Sequence, residues 1–267
     1  MSGMIGSLGM RTRLNDLRDT RMNTSPVYET VADFQADGGV SHYFPDAYGK
    51  DSCNLNNKTG TSGDIIENRI AGPFGGAAMD CGHAFGTHAN EITRYTFTNF
   101  YKSGTTAFGT SDRTLALWVS RIGNNNSEPT LFQIGNHSGA NSIWACGFGN
   151  NNHTMRVVCI GSDVNFSSDA LIDNTGKWQH LVWTLTGTTA KAYINGVFKN
   201  TQTHGAQPNT NSGASKIGYG EWNSSNSNKY SSAALDQIAV WSRCLSDHEI
   251  KRMYDNHRMK ILDISAY

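Results

Sequence analysis

From Arg113 onward the chain is cut into short apolar runs, one roughly every ten residues, with polar turn residues between them. Arg113–Arg121 (RTLALWVSR) puts Leu115, Leu117 and Val119 on one face of a strand and Ala116 and Trp118 on the other. Thr130–Gly135, Ser142–Gly149, Met155–Gly161, Trp178–Thr186, Thr189–Lys199, Ser215–Gly220 and Ala234–Trp241 repeat the pattern. Asn195-Gly196, set among β-branched and aromatic residues, marks a tight hairpin. No run alternates with helices long enough for parallel crossovers, so the spacing predicts a two-sheet antiparallel sandwich. The stretches 123–128, 200–212 and 221–232 read as its long polar loops. Ser246-Asp247-His248-Glu249 is a capping box ahead of Ile250, Met253 and Tyr254, and predicts the one confident helix.

Composition narrows the function. Lysine and arginine total 22 and so do aspartate and glutamate, so the net charge is zero. A nucleic-acid binder carries a basic excess, and none is present. Only 16% of residues are charged, while glycine alone numbers 28, so polarity comes from turn formers rather than from charged helix faces. No apolar run approaches the length of a membrane span. The five cysteines (Cys53, Cys81, Cys146, Cys159, Cys244) show no Cys-x-x-Cys spacing. Cys146 and Cys159 read as small buried hydrophobes of a protein folded in a reducing compartment.

Residues 1–30 form a separate arm. Met1, Met4, Ile5, Leu8 and Met10 make an apolar tip, and Arg11, Arg13, Arg18 and Arg21 follow. The segment reads either as a frayed terminus or as an anchor in which the arginines clamp a partner. It lacks the basic-then-apolar order of an export signal. The sandwich is expected over 31–256, and 257–267 are a tail.

The order of motifs resembles the concanavalin A-like lectin/glucanase superfamily, and within it the laminin-G-like jelly rolls. Trp178-Gln179-His180-Leu181-Val182-Trp183 is similar to that family's W-H-H-V-A strand, and Lys191–Gly196 to its L-Y-V-D-G hairpin. Ser215–Gly218 resembles the L-x-I-G strand, and Leu235–Trp241 with Leu245–Ile250 the closing I-D-E-V-R-I-Y … L-S-x-x-E-I. Arg113–Arg121, Ala78–Gly82 and His42-Tyr43-Phe44 supply the earlier strands, so the likeness spans about residues 40–256. It implies an all-β, two-sheet antiparallel jelly roll with one short C-terminal helix and an extended N-terminal arm. It also implies that Asp80 and Asp236 stand where the family fixes a turn or helps hold a structural Ca2+, an ion that needs roughly six to eight oxygens.

The glucanase branch needs two carboxylates facing one bond. The six glutamates (Glu29, Glu67, Glu91, Glu128, Glu221, Glu249) are scattered, Asp236 has no acidic neighbour two residues away, and neither a G-x-S-x-G elbow nor a phosphate loop occurs. The expectation is a binding protein rather than an enzyme. His180, Trp118 and Trp183 read as structural. The loop from Tyr219 to Tyr230 is the candidate ligand site. There Tyr219, Trp222, Asn223 and Tyr230 combine the flat aromatic faces and amides that recognise sugars. Taken together, these features suggest a non-catalytic virion surface protein (head fibre, spike or capsid decoration subunit). Its arm would hold a capsid protein, its jelly roll would meet host glycans, and assembly would take place in the host cytoplasm. A secreted carbohydrate-binding module is the alternative, a divergent polysaccharide-degrading enzyme the third reading, and self-association is compatible with each.

Overall fold

The computed structural model describes residues 31–43, 60–62, 70–73, 77–81, 94–97, 108–122, 129–149, 154–170, 172–211, 213, 215–221, 228–231 and 233–255; for some strand residues, Asp80 and Tyr230 among them, it describes the backbone alone. The arm with Arg11, Arg13, Arg18 and Arg21, and the tail at 257–267, lie outside the described residues.

In chain order the elements are α1 (Val31–Ala36), β1 (Gly39–Tyr43), β2 (Gly60–Ser62), β3 (Ile70–Ala71), β4 (Ala77–Asp80), β5 (Arg94–Phe97), β6 (Arg113–Ile122), β7 (Thr130–Ile134), β8 (Trp144–Phe148), β9 (Met155–Val158), β10 (Val164–Asn165), a 3-10 turn (Ser168–Ala170), β11 (Thr175–Thr186), β12 (Thr189–Ile194), β13 (Val197–Thr203), β14 (Ser215–Ile217), β15 (Tyr219–Glu221), β16 (Asn228–Tyr230), β17 (Ala233–Trp241) and α2 (Asp247–Asp255). One sheet runs β13-β12-β11-β6-β17-β4-β3, with β1 also paired to β17. The other runs β10-β9-β8-β7-β14-β5-β2, and β15 with β16 forms a separate ribbon. All pairings are antiparallel.

The alternation in β6 builds the core as expected. Leu115, Leu117 and Val119 enter the cluster between the sheets with Leu181, Trp183, Leu131, Trp144 and Val240. Ala116 lies on the opposite face, where it joins Val182, Tyr193, Ala239 and Trp241 under Phe34 of α1 and Leu245 and Ile250 of the α2 segment. Two helices therefore roof the outer face. The VADFQA helix went unseen in sequence because a single turn has no periodicity of its own. It is held by Phe34, fully buried and edge-on to Trp241 at 5.3 Å, and burial of such a ring stabilises by about 2–3 kcal/mol.

The capping box forms as expected. Ser246 Oγ accepts from the Glu249 amide, and Glu249 Oε2 accepts from the Ser246 amide at 2.7 Å. Arg243 extends it into a clamp, donating to Glu249 at 2.7 Å and to Asp37 at 2.5 Å, so α2 is tied to the α1–β1 turn. Against the desolvation that opposes it, hydrogen bonding to Glu249 and Asp37 holds the Arg243 guanidinium above its ordinary pKa. Glu249 is pushed down to about 2, first by Arg243. The Asn195-Gly196 hairpin also forms, with both residues at positive φ (53° and 74°), as a type I′ turn requires. The strand that follows runs to Thr203 through what the sequence presented as a loop, because β12 pairs with it as far as Thr189↔Thr203.

His180, Trp118 and Trp183 are structural, as expected. His180 is 1% exposed, lies tilted against Trp118 at 5.3 Å and stacked on Tyr254 at 6.4 Å, and is pushed down to about 3 by burial. Cys146 and Cys159 are buried thiols raised by desolvation, and both are free, as is Cys244. Among the described residues no helix is long and apolar enough to cross a membrane.

Candidate functional site

The segment expected to be an end loop carries a β ribbon laid against the second sheet. β15 and β16 pair in the register Tyr219↔Tyr230, Gly220↔Lys229 and Glu221↔Asn228. Two of the four candidate residues, Tyr219 and Tyr230, thus stand directly opposite each other. Trp222 and Asn223 fall in residues 222–227, outside the described residues.

Two glycines let the ribbon lie where it does. Gly218 turns the chain at φ 82°, and a Cβ there would come 2.7 Å from Cys81 Sγ. A Cβ on Gly220 would come 2.6 Å from Thr130 Cγ2 and 2.8 Å from Gln133 Oε1, so β15 rests on β7 through a bare backbone. The root of the ribbon is stitched by Gly218 N donating to Leu131 O and Ser231 N donating to Gly218 O, both at 2.8 Å.

Beneath it lies a polar floor that the sequence did not single out. Lys216 pairs with Gln133 across β14 and β7, and the two are 4% and 0% exposed. The Lys216 ammonium sits 5.0 Å from the half-buried Tyr219 ring, a cation–π contact that fixes the ring plane. Gln133 Nε2 donates to Gly135 O at 2.8 Å. The only available signal was the alternation of polar Gln133 and Lys216 within apolar strands. An aromatic oriented by a buried cation, opposite a second aromatic, is suited to stacking on a flat, polyhydroxylated ring.

The other candidates do not join it. Asp236 is 5% exposed, and its Oδ1 accepts from the Gln237 amide at 2.7 Å, which holds Gln237 at φ 46° in a bulge of β17. Asp80 lies in β4, which pairs with β17 through Ala234↔Asp80. Among the described residues no group of three or more His, Cys, Asp or Glu side chains gathers, and Asp236 has a structural account in the bulge. A cavity of about 80 Å3 lined by Thr184, Thr186, Thr189, Lys191, Tyr193, Cys244 and Leu245 opens on the outer face beside α2. As for acid chemistry, the described carboxyls with resolved shifts, Glu249 and Asp173, are both lowered, by Arg243 and by Thr175 respectively.

A laminin-G family model described as the concanavalin A-like lectin/glucanases superfamily matches residues 96–251. The chain belongs to that superfamily. A comparison with curated protein sequences finds no match. Among solved structures, this superfamily member is similar to domain 4 of AbnA, an extracellular GH43 arabinanase of Geobacillus stearothermophilus solved with arabinotriose. The identity is 17% and the TM-score 0.56, over 81% of this chain and 98% of that one. It is also similar to the binding domain of Paraclostridial Mosquitocidal Protein 1 (19%, TM-score 0.57, 83% of this chain and 52% of that one). A third is a botulinum neurotoxin type C structure whose cell entry depends on two ganglioside molecules (14%, TM-score 0.56, 83% and 52%). The chain spans about half the length of the two toxin structures. These likenesses establish the jelly-roll fold.

Proposed function

We propose that this lectin-like jelly roll is a non-catalytic glycan-binding domain, displayed on a virion surface and anchored through residues 1–30. The observation that carries the glycan reading is the β15–β16 ribbon, which sets Tyr219 opposite Tyr230 over the Lys216–Gln133 floor. Trp222 and Asn223 follow directly on β15 in sequence. The superfamily membership agrees with it, as do binding domains among the similar structures. The virion placement draws on the sealed thiols of Cys146 and Cys159, which suit folding in a reducing cytoplasm before display. It draws also on the separate arginine-bearing arm.

The test is Trp222→Ala in glycan-binding assays, with melting measured in parallel. Loss of one stacking contact, about 1–2 kcal/mol, weakens binding roughly ten- to thirtyfold and leaves the melting temperature unchanged. A melting drop of several degrees with binding intact would make Trp222 a packing residue and sink the glycan reading. For the anchor, deletion of residues 1–25 leaves a cooperatively melting domain that no longer co-sediments with particles. Retained co-sedimentation would refute that role.

A further inference from the structure

The interior strand β6 carries an arginine at each end, and only one is satisfied. Arg121 is 3% exposed, and its Nε and Nη1 are sealed from solvent with no hydrogen-bond partner among the described residues. Its guanidinium lies 4.9 Å from the Phe148 ring. A ring face attracts the charge but accepts no in-plane N–H. Desolvation alone acts on Arg121 and pushes it down to about 10. A buried cation without an acceptor is among the costliest arrangements a fold retains.

A second unmet group lies close by in the register. Ser231, 3% exposed, has a buried hydroxyl without a partner among the described residues. It follows β16 directly and stands two residues before Ala233, which is the β-partner of Arg121. A guanidinium and a hydroxyl together offer several donors to one oxyanion, and a planar carboxylate fits the guanidinium best.

We infer that the Arg121 end of the sandwich, at the root of the β15–β16 ribbon, is a carboxylate-binding site that receives the acid group of an acidic glycan. The identity of the molecule carrying the carboxylate rests on the glycan reading above; the unmet donors do not. The ribbon joins the two. Ser231 N is bonded to Gly218 O at its root, and Tyr219 and Tyr230 flank that root in sequence.

The test uses the full chain labelled with 15N-arginine, with the Arg121 Nε–H signal assigned by Arg121→Lys. The probes are a uronic-acid oligosaccharide, its carboxyl-reduced neutral counterpart and free glucuronate. The acidic oligosaccharide is expected to shift the Arg121 signal and to bind at least tenfold more tightly than the neutral one, and Arg121→Gln removes that preference. If only free glucuronate shifts the signal, the carboxylate site stands and the glycan reading fails. If acidic and neutral oligosaccharides bind equally and Arg121→Gln changes neither, the glycan reading stands and the carboxylate site is overturned. If no probe moves the signal, or if Glu91→Gln or Glu128→Gln moves it without any ligand, the site is likewise overturned. The wild-type titration decides even if Arg121→Gln fails to fold.

Discussion

Arg113 and Arg121 lie at opposite ends of the same strand and on the same face, yet the sandwich treats them differently. Arg113 is fully buried and donates to Ser111 O at 2.9 Å, Gly109 O at 2.7 Å and Thr210 Oγ1 at 2.5 Å, and its guanidinium packs near Phe108 and Trp144. Arg121 has a ring beside it and no acceptor for Nε or Nη1 among the described residues. Both are pushed down to about 10 by burial, but charges including Asp112 partly offset the effect at Arg113. The strand pays the same desolvation twice and recovers it once. One end is a finished structural joint, closed by paired backbone bonds between Gly109 and Thr210. The other is left with donors to spare, as a ligand site on a rigid scaffold requires.

The largest expected effect breaks this comparison directly. Arg113→Met takes the side-chain donor away from Ser111 O, Thr210 Oγ1 and Gly109 O and loses charge-assisted bonds, so it destabilises by about 3–5 kcal/mol. Arg121→Met strands nothing and removes an uncompensated buried charge, so it is neutral or stabilises by about 1–2 kcal/mol. Urea unfolding of both variants without ligand measures the contrast. Equal losses would show that the two ends are equivalent.

Acid separates the ends next. His180 packs against Trp118, nearer along β6 to Arg121 than to Arg113. Its folded pKa of about 3 lies below the ordinary 6.5. Above 6.5 neither state takes the proton; below it the unfolded chain does and the folded one does not. Stability is therefore lost as pH falls from 6.5 towards 3, by roughly 1.4 kcal/mol per pH unit at its steepest. His180→Phe keeps a ring in the stack and is expected to flatten that slope in melts between pH 7 and 4. An unchanged slope would place the titration elsewhere.

Little of the contrast between the ends could be read in advance. RTLALWVSR is nearly symmetrical, and an arginine at each end of an apolar strand looks the same in sequence. What distinguishes them is the reach of Arg113 to Thr210, which lies 97 residues away. Local signals carried better: the β6 alternation, the Asn195-Gly196 turn and the Ser246 box all depend on neighbours within a few residues. At the candidate site the aromatic content was legible. The placement of the ribbon was not, because it depends on Gly220 meeting Thr130 and Gln133 of a distant strand. The Asp236 bulge was invisible for a related reason: Asp-Gln in a strand gives no cue that the carboxylate will cap its own neighbour.

The smallest expected effect tests how well the Arg113 end is finished, because Glu249 serves there as both cap and counter-ion. Its side chain is 31% exposed and bridges Ser246 and Arg243, which in turn holds Asp37 and donates to Cys244 O. Ser246→Ala removes the acceptor of the Glu249 amide and is expected to cost about 1 kcal/mol. Glu249→Gln keeps an acceptor for the Ser246 amide but loses the charge facing Arg243; discounted for solvent screening, that too is about 1 kcal/mol. The two variants part on the acid side. The folded pKa of Glu249, about 2, lies below the ordinary 4.5, so its stabilisation is present above 4.5 and is lost as pH falls through 2. Glu249→Gln should abolish the dependence in that window, whereas Ser246→Ala should only shrink it. This window opens at lower pH than the one set by His180, so amide exchange followed during acidification should rise first in the strands around Trp118 and later at α2 and the α1–β1 turn. The reverse order would mean that the Arg243 clamp, and not the uncompensated end, is where this sandwich opens.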